Sequence, residues 1–252
     1  MLLKKLPVFV GTEFLTDAHL AIMTSGGVSI PLEMESRCKE LHPNHRVPYV
    51  LSRLAASSAL STVLGKPITF SGSRHDAEQH DANLSLSHED FVGAAVAWRK
   101  GTSNAIGIDV VDVQQLERVV KRFPQFAARF MPRCDLSALS SVDACNIERA
   151  FRGHADQVTV TLSQHWGLRE CCVKLVGVEG RTFPFECFRG PRAYFPDRFK
   201  AQVVEEGSDA LRAAGLNSSL FVSTWPELLK LPSGDVKPYI IVVAACPRKS
   251  AV

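Results

Sequence analysis

The groups in this chain best suited to chemistry are a carboxylate inside an apolar run and a carboxylate–lysine pair on an amphipathic segment. Asp109 stands in the middle of AIGIDVVDV (105–113), a β-branched run in which burial disfavours a charge. It needs a partner, and a divalent cation is one way to supply it; the alternative is that Asp109 ends the strand and caps a turn. Asp112, three residues on, would face the other side of the strand. Glu170 and Lys174 lie one helical turn apart in HWGLRECCVKLVG (165–177), a spacing that alone describes a solvated ion pair. His88 stands at the turn that follows LSLSH, where a lone histidine is ordinarily structural. Arg53 is the one charge inside an apolar helical stretch, either a snorkelling surface side chain or a cation held over a site by a rigid helix.

These groups need elements to hold them. Read as a helix, 165–177 puts Leu168, Cys171, Cys172, Leu175 and Val176 on a core-facing stripe, with Trp166, Arg169, Glu170, Val173, Lys174 and Gly177 opposite. Residues 48–64 read as a helix apolar on most faces, with Pro48 in its opening turn and Gly65 just past its end. A first strand is expected over 6–14 and a polar loop over 71–83, carrying His75 and His80. Strands over 84–88 and 91–98 are separated by Glu89 and Asp90, and 99–104 (RKGTSN) reads as a linker before the 105–113 strand. Residues 114–131 read as a helix interrupted at Pro124, carrying Arg118, Lys121, Arg122 and Arg129, with Arg133 just beyond, against the single acid Glu117. Only short helical pieces are expected over 134–161. Strands follow over 181–188, 219–225 and 238–246, with a short helix over 208–215. The sum is an α+β chain.

Composition narrows the classes. With 252 residues and 46% hydrophobic content, the chain can bury a sizeable core in one large domain or two small ones. A formal charge of +3 argues against a protein whose main business is neutralising nucleic-acid phosphates. Seven scattered cysteines with no CxxC pair and no Cys/His ligand spacing suit buried thiols in a reducing compartment and no structural zinc. No apolar run reaches the length of a membrane span, and the N-terminus lacks a secretory or transit pattern. No Gly-rich phosphate loop is present, which disfavours an unrelated magnesium-dependent nucleotide hydrolase.

Three pieces in this order, SLSH (85–88), GIDVVDV (107–113) and WGLRECCVK (166–174), resemble the signature of the 4'-phosphopantetheinyl transferase superfamily. Its members typically show a serine–histidine strand end, a G-(I/V)-D strand and a W-x-x-K-E-A-x-x-K helix. The order is that of the larger, two-lobed, surfactin-synthetase-activating type, while the GIDVVD wording is shared with the holo-acyl-carrier-protein synthases. The likeness extends to the helix around Arg53 and to VVKRF (119–123), covering with motifs about residues 45–180. Three positions depart from the pattern. Val111 stands where two-lobed members usually carry a second acid, Arg169 where the motif lysine is common, and Cys171 where a small alanine or serine is usual.

The resemblance implies an α+β pseudo-dimer of two similar lobes, each a small antiparallel sheet packed on a long helix, with a site in the cleft between them. Residues 1–103 would be the lobe on the coenzyme A 3'-phosphate side, and 104–252 the lobe with the metal and catalytic helix. It implies transfer of the 4'-phosphopantetheine arm of coenzyme A to a serine of an apo acyl or peptidyl carrier protein, releasing adenosine 3',5'-bisphosphate. By the same resemblance Asp109 and Glu170 hold Mg2+, and Lys174 contacts phosphate and the leaving group. Arg53 and His88 hold the 3'-phosphate end, with Arg169 on the coenzyme A side, and Glu170 takes, or orients the base that takes, the serine proton. An acidic carrier docks on the basic surface from Arg118 to Arg133; nucleic acid and membrane are not partners, and the protein acts as a cytoplasmic monomer, an organellar site remaining open. The alternative is a non-catalytic relic of the fold that binds coenzyme A or a carrier protein. Fatty-acid, polyketide and peptide synthesis are equally compatible.

Overall fold

The computed structural model of the chain describes residues 1–10, 13–25, 28–125, 146–177, 188–189, 198–203 and 205–249. The architecture is α+β and divides into two compact units: Met1–Thr102 with Ile108–Val110, and Ser103–Gly107 with Val111–Val252.

The first unit is built on an antiparallel sheet of β1 (Leu2–Val10), β2 (Glu13–Thr24), β3 (Ala82–Glu89) and β4 (Val92–Arg99), in the order β1-β2-β4-β3. Sequence reasoning placed a single strand over 6–14. Instead β1 and β2 pair with each other up to Val10 opposite Glu13, and most of β2 lies beyond the expected strand. The helices are α1 (Leu32–Glu40), not anticipated, and α2 (Pro43–Leu64). Helix α2 starts five residues before the expected Pro48: the His42 side chain accepts from the Asn44 amide, Pro43 supplies the first-turn proline, and Pro48 lies inside the helix. Gly65 ends it in the left-handed conformation at φ 68°.

Leu51, Ala55, Ala59 and Leu60 of α2 pack on Ala21, Leu84, Ala95 and Ala97 of the sheet. By length and composition α2 could cross a membrane, but 56% of that window is buried inside the protein, as in a core helix. The expected loop at 71–83 contains a 3-10 helix, Arg74–His80, ended by Asp81 at φ 56°. The β3–β4 turn falls at 90–91, one residue later than expected.

The second unit has a sheet ordered β5-β9-β8-β7-β6, where β5 is Asn104–Asp112, β6 Phe188–Arg189, β7 Arg198–Val203, β8 Ser219–Lys230 and β9 Val236–Pro247. The β6–β7, β7–β8 and β8–β9 ladders are antiparallel. Its helices are α3 (Val113–Arg122), α4 (Asn146–Phe151), α5 (Gln157–Val176) and α6 (Glu205–Ala213). Helix α3 stops before Pro124, as expected of a residue that precedes proline. Residues 124–125 are helical again, while 126–131 of the expected 114–131 helix, the basic residues Arg129 and Arg133, and 181–187 of the expected 181–188 strand lie outside the described residues.

Helix α5 begins eight residues before the expected 165–177 segment, capped by Asp156, whose Oδ1 accepts from the Thr159 amide at 2.9 Å. Its apolar stripe is as read: Leu168, Cys171 and Cys172 are fully buried, with Leu175 and Val176 packed on the same core. On the opposite face Arg169 is only 6% exposed, and Trp166, Glu170, Val173 and Lys174 are partly buried. Two glycines let α5 approach the sheet closely. A Cβ at Gly167 would lie 2.5 Å from Val242, and one at Gly107 would lie 2.6 Å from the Cys171 carbonyl, so α5 rests against β9 and β5 where side chains are missing.

Candidate active site

In the first unit, Asp109 is buried in the interior of β5, which runs on to Asp112, so it does not end the strand. The turn-capping alternative thus belongs to its neighbour: Asp112 caps α3 by accepting from the Gln115 amide at 2.9 Å. A partner of Asp109 is Ser87, whose hydroxyl donates to Oδ1 at 2.8 Å and itself accepts the Val110 amide at 3.1 Å. Ser85, on the same face of β3, accepts the Ile108 amide at 3.2 Å. Sequence reasoning missed both serines. The signal was present: alternating serines in LSLSH put two hydroxyls on one strand face, and hydroxyls on a buried face must find backbone or side-chain partners.

His88 is exposed near the end of β3 and pairs in register with Gly93. Directly paired residues share a sheet face, and a Cβ on Gly93 would point at the α2 backbone, 2.3 Å from the Leu51 carbonyl carbon and the Ser52 nitrogen. His88 therefore lies on the α2 side of the sheet, and Arg53 follows Ser52 on α2.

Arg53 is not a snorkelling surface residue. Its Nε donates to the Gly72 carbonyl at 2.9 Å and its Nη1 to Ser52 Oγ at 3.0 Å, and the guanidinium lies 4.4 Å from the centre of the Tyr49 ring. Burial lowers its pKa from the ordinary value, an effect that Tyr49 opposes, and the guanidinium keeps its charge. A pocket of about 430 Å³ opens beside it, lined among others by Glu33, Arg37, Glu40, Tyr49 and Gly72. Tyr49 also donates to the Ser71 carbonyl, and Asp76 accepts from the Ser73 amide at 2.6 Å, so the 71–73 wall of this pocket is fastened from two sides.

In the second unit, Glu170 and Lys174 are partly buried one turn apart on α5. Arg169 Nη1 lies 2.6 Å from Glu170 Oε1, and its guanidinium lies 5.5 Å from the centre of the Trp166 ring. Next to them, burial pushes the His165 imidazole down to about 4. Val111, at the position of the expected second acid, is 4% exposed and packs with Leu116 and Leu162. A carboxylate there would enter apolar core.

Among the described residues no group of three or more His, Cys, Asp or Glu side chains is gathered as a metal cage. On α3, Arg118 and Arg122 are exposed, and Lys121 pairs with Glu117 at 2.6 Å. No protein-family model matches this chain, and no curated protein matches it.

Proposed function

We propose that this protein is a 4'-phosphopantetheinyl transferase, moving the phosphopantetheine arm of coenzyme A onto a serine of an apo carrier protein. The observation that carries the reading is the Ser87–Asp109 hydrogen bond, which joins the SLSH and GIDVVDV segments through a buried carboxylate. The packing of Gly107 on Cys171 adds support, since it brings GIDVVDV against the WGLRECCVK helix. In this reading the two units form a pseudo-dimer. Supporting that, each carries an antiparallel sheet and one long helix, of 22 residues in α2 and 20 in α5.

Magnesium suits the donor set. It is usually held by one or two carboxylates with substrate phosphate and water completing the shell, so Asp109 and Glu170 would serve without a dedicated cage. Bound there, it would neutralise the pyrophosphate charge. The rest falls to side chains. The carrier serine oxygen forms a bond to the phosphorus on the pantetheine side, and the bond from that phosphorus to the bridging oxygen breaks. Adenosine 3',5'-bisphosphate leaves, and the serine proton passes to the Glu170 carboxylate. Lys174 meets the charge growing on the leaving phosphate, Arg169 supports the coenzyme A side, and Arg53 with His88 holds the 3'-phosphate end.

Incubating the protein with coenzyme A, Mg2+ and apo carrier protein, then weighing the carrier, tests this. The carrier should gain the mass of phosphopantetheine, and Glu170→Gln should slow the gain about 100-fold or more if the carboxylate takes the proton. A carrier of unchanged mass with the unaltered protein rejects the transferase. Binding of coenzyme A with no gain in mass would instead select the non-catalytic relic, a reading favoured by the Arg169 contact that engages one Glu170 oxygen.

The acidic carrier would dock on the α3 surface. Reversing charge with Arg118→Glu and Arg122→Glu should weaken carrier binding at low salt about tenfold, while coenzyme A affinity stays constant in a calorimetric titration. Equal loss of both affinities, or loss of neither, removes this dock.

A further inference from the structure

We infer that Ser87 is a positioning residue for Asp109: its hydroxyl fixes the carboxylate in the orientation that binds a divalent cation. The inference rests on the metal-dependent reading above and goes beyond it by assigning a residue behind the ligand. The hydroxyl of Ser87 is committed in both directions. It accepts the Val110 amide at 3.1 Å, and its one proton goes to Asp109 Oδ1 at 2.8 Å. Ser87 is 8% exposed and Asp109 is 7% exposed, so the bond is sheltered from competing water. The acceptor half ties the hydroxyl to the β5 backbone next to Asp109, and the donor half holds the carboxylate. Asp109 thus keeps one rotamer instead of reaching it only when the ion arrives. Partners of this kind behind a metal ligand typically change metal affinity or activity 10–100-fold when removed.

The structure supplies its own control. Ser85 sits one repeat earlier on the same face of β3 and accepts the Ile108 amide at 3.2 Å, so it makes the same backbone clip but does not hold the carboxylate. Removing either hydroxyl unpins a β5 amide; only removal of Ser87 also takes a hydrogen bond from the Asp109 carboxylate. A purely structural role predicts equal consequences for the two.

The experiment titrates Mn2+ into the full chain with coenzyme A present, reading free Mn2+ by electron paramagnetic resonance, alongside thermal melts and the Mg2+ dependence of carrier modification. Ser87→Ala should raise the Mn2+ Kd and the apparent KM for Mg2+ about tenfold or more. Ser85→Ala should leave both within about twofold while lowering the melting temperature as much as Ser87→Ala does, and Ser87→Thr, which keeps the hydroxyl, should restore metal affinity. If Ser87→Ala does not fold, Ser87→Cys makes the same comparison, because a thiol donates weakly. Equal shifts for Ser85→Ala and Ser87→Ala, or no shift for Ser87→Ala, overturn the inference and leave the transferase standing. Failure of the unaltered protein both to bind Mn2+ and to modify the carrier overturns the two together.

Discussion

Replacing Gly93 with alanine is expected to destabilise the first unit by about 3 kcal/mol or more, at the upper end of what overpacking a core costs. The added Cβ would fall 2.3 Å from the Leu51 carbonyl carbon, 2.3 Å from the Ser52 nitrogen and 2.7 Å from the Leu51 carbonyl oxygen. All three are backbone atoms in the middle of α2, so no side chain can rotate away. Relief requires the helix and strand to separate by about an ångström, which thins the contacts of Leu51, Ala55 and Leu60 with the sheet at once. The gain from stiffening the unfolded chain, about 0.4–1 kcal/mol for a glycine-to-alanine change, does not offset this. Urea denaturation of Gly93→Ala beside Gly101→Ala makes the comparison. Gly101 has open space around its Cβ position and only the strain of φ 81°, worth about 1–2 kcal/mol. An equal or smaller loss at Gly93 would show that α2 does not press on β4 as described. A second readout follows from the neighbours. His88 is across the ladder from Gly93 and Arg53 is next to Ser52, so under the proposed function coenzyme A affinity should also fall in whatever fraction of Gly93→Ala remains folded.

Much of this arrangement could be read from the chain, and the exceptions have physical causes. The apolar stripe of α5 was legible from 168 onward because Leu168, Cys171 and Cys172 repeat at helical spacing. The eight residues before His165 were not, because Thr159, Thr161, Ser163 and Gln164 are polar yet buried, which blurs the periodicity. Their side chains are satisfied locally or across the core: Thr161 donates to the Gln157 carbonyl, Ser163 to the Thr159 carbonyl, and Gln164 to Thr224. At α2, Pro48 suggested a first turn, but Pro43 fills that position behind the His42 cap. For the site, an acid in a β-branched run announced that Asp109 needs a partner. It could not reveal that Ser87 provides one, since the pairing spans 22 residues and two strands. The Arg169–Glu170 contact was equally hidden, because adjacent helical residues do not face each other and only the length of the arginine lets it curl back.

Asp112 shows how different the role of a second acid three residues from Asp109 can be. Removing its carboxylate with Asp112→Ala is expected to cost the second unit about 4–6 kcal/mol, a large share of the 5–15 kcal/mol that typically holds a domain together. Two losses combine. The Gln115 amide loses its N-cap acceptor, worth about 1 kcal/mol. Lys237, whose ammonium lies 2.8 Å from Asp112 Oδ2 with side-chain exposures of 11% and 1%, stays buried without that carboxylate, worth about 3–5 kcal/mol. Oδ2 receives no hydrogen bond of good geometry, so the opposite charge of Lys237 is its main compensation. Asp112→Asn separates the two terms: asparagine still caps α3, and the loss should shrink by about 1 kcal/mol. Adding Lys237→Met to Asp112→Ala should recover most of the pair term, because an apolar side chain tolerates a buried site better than an ammonium that has lost its carboxylate. Urea midpoints of the three variants decide the matter; a double variant no more stable than Asp112→Ala would mean the pair carries none of the loss. Under the proposed function, transfer measured per folded molecule should be unchanged in Asp112→Asn. The carboxylate of Asp112 is spent on a helix cap and a buried cation, and the proposed chemistry draws on Asp109 alone in this strand.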